Sequence, residues 1–205
     1  MNRRLLPILA LYAVAAAAIV FLYRDAYSQD GGLHFLLARW AWKRPITFVE
    51  VWARPGFTVL YSLPAQLGYL PAKLFSVLIT ALAAWQTAAA ARALKLERPW
   101  MAAPFLLASP VLFLLSTETM TEPLFALAFA TALRLHFEGR IALSLVVASL
   151  LPTLRPEGFF LCAVWALYDR RPRLLLLGLA TAVWVIAAWA LSGDPFYLVH
   201  HWPWN

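Results

Sequence analysis

The feature that most constrains this chain is its division into apolar blocks of about 13 to 24 residues, separated by short charged clusters. A bilayer with a hydrocarbon core about 30 Å thick requires blocks of this size. Lipid offers no hydrogen-bonding partner to the backbone, so such blocks must be helical. The sequence is 63% hydrophobic and only 13% charged, against about 25% charged in ordinary soluble domains. We therefore predict an all-α, polytopic transmembrane helical bundle with about seven spans.

The spans are predicted from the limits of the apolar blocks, and the whole chain, 1–205, is treated as a single transmembrane domain. The segment from Arg24 to about Pro71 is predicted to be a long amphipathic loop, the first on the extracytoplasmic side. The predicted spans are 5–22, 72–94, 100–115, 122–137, 141–153, 157–168 and 174–191.

The segment 141–168 fits either one span or a hairpin that reverses between Pro152 and Gly158. Two prolines, a glycine and two charges within seven residues break a helix strongly. The hairpin also places four basic clusters on the side of the N-terminus, as the positive-inside rule requires of cytoplasmic loops. These clusters are Arg3/Arg4, Arg92/Lys95/Arg98, Arg134/Arg140 and Arg170/Arg171/Arg173. We favour the hairpin, a cytoplasmic N-terminus and a multi-pass protein of the plasma membrane.

Two other interpretations of the charge and of the first block are weaker. Arg3 and Arg4, the apolar run and Ala26-Tyr27-Ser28 also fit a cleaved secretory signal. An uncleaved first span is favoured because the rest of the chain is itself apolar enough to span the membrane.

The net charge of +7 is spread over block ends rather than gathered in a stripe, which disfavours a nucleic-acid partner. Cys162 is the only cysteine, so no disulfide framework exists.

This topology puts most acidic residues on the extracytoplasmic side, where we expect the chemistry. They are Asp25, Asp30, Glu50, Glu118, Glu122, Glu157 and Asp194. Asp30 is expected to cap a helix that starts near Gly31, with His34 close enough to share a polar patch. The alternative is that Asp30 serves only as a cap and His34 only as an interfacial residue.

Two further segments carry polar residues at the ends of predicted spans. The turn Ser116–Pro123 contains Glu118 and Glu122, and its simplest interpretation is a helix start capped by Thr121 with Pro123 in the first turn. Arg155 lies between two helices too short to cross the hydrocarbon core, so it is predicted to lie below the outer surface. An ionisable group at that depth is a functional candidate by default. The alternative is a purely structural pair with Glu157.

An arginine at phosphate depth beside several carboxylates suits transfer of a group from a phosphate-linked lipid to a hydroxyl. Guanidinium groups bind phosphate bidentately and stabilise the charge that grows on a phosphate leaving group. A carboxylate can take the proton of the attacking hydroxyl.

The order of several short motifs resembles a known family. The motifs are an aspartate early in the first outer loop, Ala53-Arg-Pro-Gly56, Thr121-Glu-Pro-Leu-Phe125, Leu154-Arg-Pro-Glu-Gly158 and Ser192-Gly-Asp-Pro-Phe-Tyr197. Together they resemble the N-terminal core of the GT-C superfamily of membrane glycosyltransferases, especially bacterial mannosyltransferase-like members. The paired Asp-Glu of some relatives is absent because Gly31 follows Asp30.

The resemblance implies an inverting glycosyltransferase that takes a sugar from a polyprenyl-phosphate donor on the extracytoplasmic face. The catalytic base is expected at Asp30 and, second, at Asp25. Arg155 and Arg54 are expected to bind the donor phosphate, with His34, Glu118, Glu122 and Glu157 in supporting roles. Relatives are commonly about twice as long, so we expect the N-terminal part of a longer enzyme, inactive alone if acceptor-binding parts are missing.

Two other functional classes remain as alternatives at this point. A transporter subunit would use Arg155 and the carboxylates to line a substrate path, and a non-catalytic subunit would hold a membrane partner by its apolar faces. No cofactor is predicted. Zinc bound by Asp30, His34, His200 and His201 is considered, but their spacing is not diagnostic of a metal site.

Overall fold

The computed structural model describes residues 3–168 and 172–202, and all regular structure within those residues is helical. The α-helices are α1 (Leu5–Leu22), α2 (Gln29–Trp40), α3 (Pro55–Leu67), α4 (Tyr69–Ala93), α5 (Ala102–Leu107), α6 (Pro110–Ser116), α7 (Glu122–Phe137), α8 (Ile141–Ala148), α9 (Leu151–Leu154), α10 (Glu157–Tyr168), α11 (Leu179–Ser192) and α12 (Tyr197–His200). Short 3-10 helices cover Pro45–Phe48, Pro99–Met101 and Pro172–Gly178. The predicted all-α fold class is confirmed.

Only some of the predicted spans are long and straight enough to cross a bilayer. Within residues 3–168 and 172–202, three helices meet the requirement, at Leu5–Leu22, Tyr69–Ala93 and Arg173–Ser192. The helices Ile141–Leu154 and Glu157–Tyr168 are apolar but shorter, and twelve residues rise only about 18 Å. Arg170 and Arg171 of the last predicted basic cluster lie outside the described residues.

The predicted span 100–115 is bent rather than straight. Pro99–Leu107 and Pro110–Ser116 meet at 72°. Pro110 cannot donate a backbone hydrogen bond and disfavours helical geometry in the residue before it. Ser109 is accordingly extended and caps α6 by accepting from the Leu112 amide at 3.4 Å. If the bent pair counts as one span, the described residues contain up to four.

The predicted loop from Arg24 to Pro71 contains two helices that belong to the core. Pro55 lies in the first turn of α3, and Gly68, with φ +123°, ends it. Phe35 of α2 and Phe57 and Tyr61 of α3 are buried, and the Tyr61 hydroxyl lies 2.9 Å from Ser76 Oγ of α4. The exposed side of α2 carries Leu33, Leu36 and Trp40, the apolar stripe expected at an interface.

The segment 141–168 forms an antiparallel hairpin, the alternative favoured from the sequence. The chain leaves α9 through Arg155 in an extended conformation and reverses into α10. Cys162 Sγ of α10 then lies 3.5 Å from the Ala148 carbonyl oxygen of α8. A Cβ at Gly158 would stand only 2.2 Å from the Leu151 backbone, so only glycine permits this approach.

Helix α4 lies at the centre of the bundle, with its largest contact against α7 and further contacts with α1, α3, α5 and α6. Small residues line its buried faces and let neighbouring backbones approach closely. The main core joins α2, α3, α4, α7, α8, α9 and α10, whereas α1, α4 and α5 enclose a second core. The buried alanines of α4 are Ala72, Ala83, Ala84, Ala88, Ala90 and Ala91.

Candidate functional site

Polar groups from several helices and the turns beside them meet at one end of the bundle, where α1 ends and α2, α3, α4, α7 and α10 begin. Two groups are distinguished below. The Arg155 cluster consists of Arg54, Glu122, Arg155 and Glu157, and the Lys73 cluster consists of Tyr69, Lys73 and Glu118. Both include acidic residues that the sequence predicted to share one side of the membrane.

Arg155 is held between two carboxylates. Its Nη1 donates to Glu122 Oε1 of α7, in the closest ion pair of the cluster, and to Thr121 Oγ1 at 3.2 Å. Its Nη2 donates to Glu157 Oε1 at 2.9 Å. Burial by itself would lower the pKa of Arg155, but the hydrogen bonds and charges of Glu157 and Glu122 raise it above its ordinary value. The side chain is 27% exposed, so one part of this paired guanidinium still faces outward.

Arg54 is the second guanidinium of the cluster, and it forms no ion pair with any described residue. It adopts a left-handed conformation with φ 55° before Pro55, and its Nη1 donates to the Val51 carbonyl oxygen at 3.4 Å. Burial and then the charge of Arg155 lower its pKa. Arg155 is already paired with Glu122 and Glu157, so Arg54 is the guanidinium of the cluster that can receive a further anion.

A close helix contact brings Arg54 to Arg155. A Cβ at Gly56 would stand 2.6 Å from Thr153 Oγ1 and 2.8 Å from a Leu154 methyl carbon. Glycine therefore allows the first turn of α3 to lie directly against α9. Each arginine is within two residues of this contact, which explains why two distant sequence motifs share one site.

His34 lies beside the Arg155 cluster on the second turn of α2. Its ring packs against Phe57 with centroids 5.3 Å apart, and its Nδ1 is buried with no hydrogen-bond partner among the described residues. Burial, followed by the positive charge of Arg54, lowers its pKa to about 4. The imidazole is therefore neutral at pH 7, with an unpaired nitrogen close to Asp30, Glu122 and the two arginines.

Asp30 differs from the role expected of it as a helix cap. The helix begins at Gln29, and Ser28 is the cap, because its extended backbone lets Oγ accept from the Gly31 amide at 3.1 Å. Asp30 is exposed in the first turn, and its carboxylate makes no hydrogen bond or ion pair to the described residues. Asp25, the second candidate base, pairs with Arg24 at 3.3 Å on the surface.

Thr121 also differs from its expected role as a cap. It stands at the capping position of α7 and Pro123 is in the first turn, but its hydroxyl makes no capping bond. The hydroxyl instead accepts from Arg155. The polar turn thus serves the Arg155 cluster rather than the helix start alone.

Two members of the Lys73 cluster, Tyr69 and Lys73, were missed by the sequence analysis, which named only Glu118. Lys73 Nζ lies 3.3 Å from Glu118 Oε1, with the lysine side chain only 1% exposed. It also donates to the carbonyl oxygens of Tyr23, at 3.1 Å, and Ala26. The sequence did contain a signal, because Lys73 is a single cation near the start of an apolar block. Burying such a charge costs free energy, so a residue of this kind is a functional candidate.

An apolar groove of about 640 Å³ runs between α3, α7, α8, α9 and α11. The part lined by Pro55, Gly56, Thr153 and Leu154 is called its head below, because Pro55 directly follows Arg54 and Leu154 directly precedes Arg155 in the chain. Its walls are formed by aliphatic and aromatic side chains, including Val59, Leu60, Leu124, Ala128, Val147, Val183 and Trp184. The site therefore combines charged side chains with an apolar groove, a combination that matches an amphiphilic ligand.

The zinc grouping considered from the sequence is not assembled. Among residues 3–168 and 172–202, no three His, Cys, Asp or Glu side chains come together as a possible metal set. His200 Nδ1 instead lies 2.7 Å from Asp194 Oδ2, a hydrogen bond that lowers the pKa of Asp194. His201 Nδ1 lies 2.9 Å from the Tyr197 carbonyl oxygen.

Comparison of the chain with protein-family models, with curated proteins and with solved structures gives no match. The functional argument therefore depends on the residues of the site. These provide two guanidinium groups at the head of an apolar groove, a neutral imidazole, and a carboxylate without a partner in the described residues.

Proposed function

We propose that the chain transfers a sugar from a polyprenyl-phosphate-linked donor to an acceptor hydroxyl, as an inverting membrane glycosyltransferase or its N-terminal part. The acceptor oxygen attacks the anomeric carbon, and its proton passes to a carboxylate. The bond between the anomeric carbon and the phosphate oxygen breaks, and its electron pair remains on the phosphate. The products are the glycosylated acceptor and the free polyprenyl phosphate, so no oxidant or reductant is needed.

The observation that carries the proposal is an apolar groove whose lining residues Pro55 and Leu154 directly adjoin Arg54 and Arg155 in the chain. A lipid phosphate needs cations to bind its phosphate and an adjoining apolar groove to bind its hydrocarbon chain. Glu122 and Glu157 already hold Arg155 in one orientation, whereas the Arg54 guanidinium makes a single hydrogen bond, to the Val51 carbonyl oxygen, among the described residues. The phosphate is therefore expected to bind Arg54 first and to approach the outer edge of Arg155.

Asp30 is the proposed general base. Its carboxylate is exposed, lacks an ionic partner among the described residues and lies within electrostatic range of His34 at the edge of the cluster. Asp25 is less suitable because Arg24 already pairs with it. A phosphate leaves as a stable anion and needs no acid, so one base and the two cations form a sufficient catalytic set.

The proposed setting is the plasma membrane, with the N-terminus in the cytoplasm and the site on the extracytoplasmic face. The positive-inside pattern of the sequence supports this orientation. In the seven-span arrangement the bent pair, α7 and the 141–168 hairpin would complete the bundle beside the three long helices.

The decisive experiment follows radiolabelled sugar from a polyprenyl-phosphate donor into other lipid or polymer fractions of membranes containing the chain. Asp30→Asn should reduce transfer by about a hundredfold, the loss typical of a removed general base. Asp25→Asn is the matched control and should transfer normally. Equal transfer by the parent and both variants would refute the assignment of the base, and donor-independent labelling would refute the reaction.

The groove is tested separately by a second matched pair. Ala180→Trp fills the groove from α11, whereas Ala142→Trp adds the same bulk to the exposed side of α8. Donor binding should weaken in the first variant and remain normal in the second. Unchanged binding in Ala180→Trp would place the lipid chain elsewhere.

A further inference from the structure

The buried lysine of α4 has every donor engaged. An ammonium group offers three N–H donors, and Lys73 directs them to the Tyr23 carbonyl oxygen at 3.1 Å, to the Ala26 carbonyl oxygen and to Glu118 Oε1 at 3.3 Å. The other oxygen of Glu118 accepts from the Tyr69 hydroxyl at 2.7 Å. The end of α1, the start of α4 and the turn before α7 are thereby fixed relative to one another.

The turn that carries Glu118 also holds the first turn of α2. Thr119 Oγ1 donates to the Gly31 carbonyl oxygen at 2.5 Å. Glu118 lies so close that a Cβ at Gly31 would stand 3.1 Å from its Oε2. Thr119 therefore contacts the carbonyl oxygen of Gly31, and Glu118 lies beside its Cα. Gly31 directly follows Asp30.

The same turn leads to the Arg155 cluster, because Glu122 of that cluster lies three residues after Thr119. Glu118 belongs to the Lys73 cluster, and Glu122 pairs with Arg155. The segment 118–122 is therefore a short spacer between the helix that carries Asp30 and the arginine at the head of the groove. Displacement at one end should move the proposed base relative to the proposed phosphate site.

We propose that Lys73 and Glu118 are positioning residues, which set the place of Asp30 relative to Arg155 through the 118–122 turn. The inference rests on the proposed function for its catalytic consequence. It does not rest on that function for its structural content, because the contacts of Lys73 with Glu118 and of Thr119 with Gly31 exist whatever the reaction. Neither residue is required to touch the substrate.

A merely structural ion pair would behave differently. Replacing a buried pair by apolar residues of similar size is often neutral or stabilising, so Lys73→Met/Glu118→Leu should fold. In a structural role this double variant would also keep normal activity. In a positioning role it folds but no longer holds the start of α2.

The test combines steady-state kinetics with amide hydrogen exchange in purified full-length chain. In Lys73→Met/Glu118→Leu, kcat should fall by about ten- to a hundredfold, as expected for a misplaced catalytic group, while KM for the donor stays within about twofold. Exchange at 29–34 should accelerate by about tenfold or more, with exchange at 55–67 unchanged. Lys43→Met, at an exposed lysine, is the control for the substitution.

Thr119→Val provides a second variant that leaves the ion pair intact. It removes the hydroxyl that donates to Gly31 and should reproduce the loss of kcat and the faster exchange at 29–34. Thr87→Val removes a hydroxyl that donates only within α4, to Ala83, and should change neither quantity.

Normal kcat and normal exchange at 29–34 in both Thr119→Val and the double variant would overturn the proposal. If the parent transfers no sugar, the proposed function fails, and the exchange measurement still decides whether Lys73 and Glu118 hold the helix of Asp30.

Discussion

Arg155 and Glu122 join the reversal between α9 and α10 to the first residue of α7, by a direct guanidinium–carboxylate contact. Both side chains are 27% exposed. Exposed ion pairs contribute little to stability, whereas breaking a buried pair strongly destabilises a protein. This half-buried pair is expected to fall between the two. It fixes the orientation of the Arg155 guanidinium relative to α7.

Glu122→Gln should destabilise the protein by about 1 to 2 kcal/mol, because it weakens a half-buried pair that joins two helices. Glu157→Gln is the matched control, since Glu157 also pairs with Arg155 but is 58% exposed. Its effect should stay below about 1 kcal/mol. Thermal unfolding in detergent measures both, and equal effects would contradict the ranking.

Gly158→Ala should destabilise the hairpin by about 3 kcal/mol or more, because the added carbon meets the Leu151 backbone, which cannot turn aside as a side chain could. Gly178→Ala is the control. No atom lies within 4 Å of its added carbon and its φ is −83°, so it should be neutral. Unfolding midpoints that agree between the two variants would be incompatible with the close contact of α9 and α10.

Arg54→Gln should weaken binding of a polyprenyl-phosphate donor by about tenfold or more, the loss expected for one charge-assisted contact. Arg155→Lys should also bind more weakly despite its retained charge, because an ammonium group cannot reproduce the planar fork. Arg39→Gln, on the exposed side of α2, should bind normally. Binding to donor-containing nanodiscs measures all three, and parent-like affinity in both site variants would remove the arginines from the donor site.

His34 should make stability depend on pH. Burial lowers its pKa in the folded protein to about 4, below the ordinary histidine pKa of 6.5, so the unfolded chain binds the proton more tightly. The stabilisation is fully present above pH 6.5 and is lost as the pH falls toward 4, by up to about 3 kcal/mol. His34→Gln cannot titrate and should show a shallower loss of melting temperature between pH 7 and pH 4. Parallel curves for the two proteins would exclude a depressed pKa.

The proposed orientation gives opposite expectations for two fusion sites. A reporter fused after Thr119 should lie on the extracytoplasmic side, and one fused after Arg173 should lie in the cytoplasm. Cytoplasmic activity after Thr119 would place the Arg155 cluster on the wrong face for the proposed reaction.

The site was only partly predictable from the sequence, and the reasons are physical. Glu122 and Arg155 were identified because charged groups beside apolar blocks are costly without a role. Their mutual pairing was not predicted, since it depends on where α7 begins relative to α9. The cap of α2 was predicted to be Asp30 but is Ser28, because both residue types suit that position and only the backbone conformation decides between them.

The sequence by itself determined the helical class, because long apolar blocks leave the backbone no other means of satisfying its hydrogen bonds in lipid. It also determined the break at Pro152–Gly158, because the effect of proline is local, whereas the break at Pro110 was not predicted and was found only in the structure. Only the tertiary structure decided that the first loop packs into the core, that Lys73 is buried against Glu118, and that Arg54 lies close enough to Arg155 to feel its charge. Those relationships depend on helix contacts made through Gly31, Gly56 and Gly158, whose closeness cannot be inferred from residues far apart in the chain.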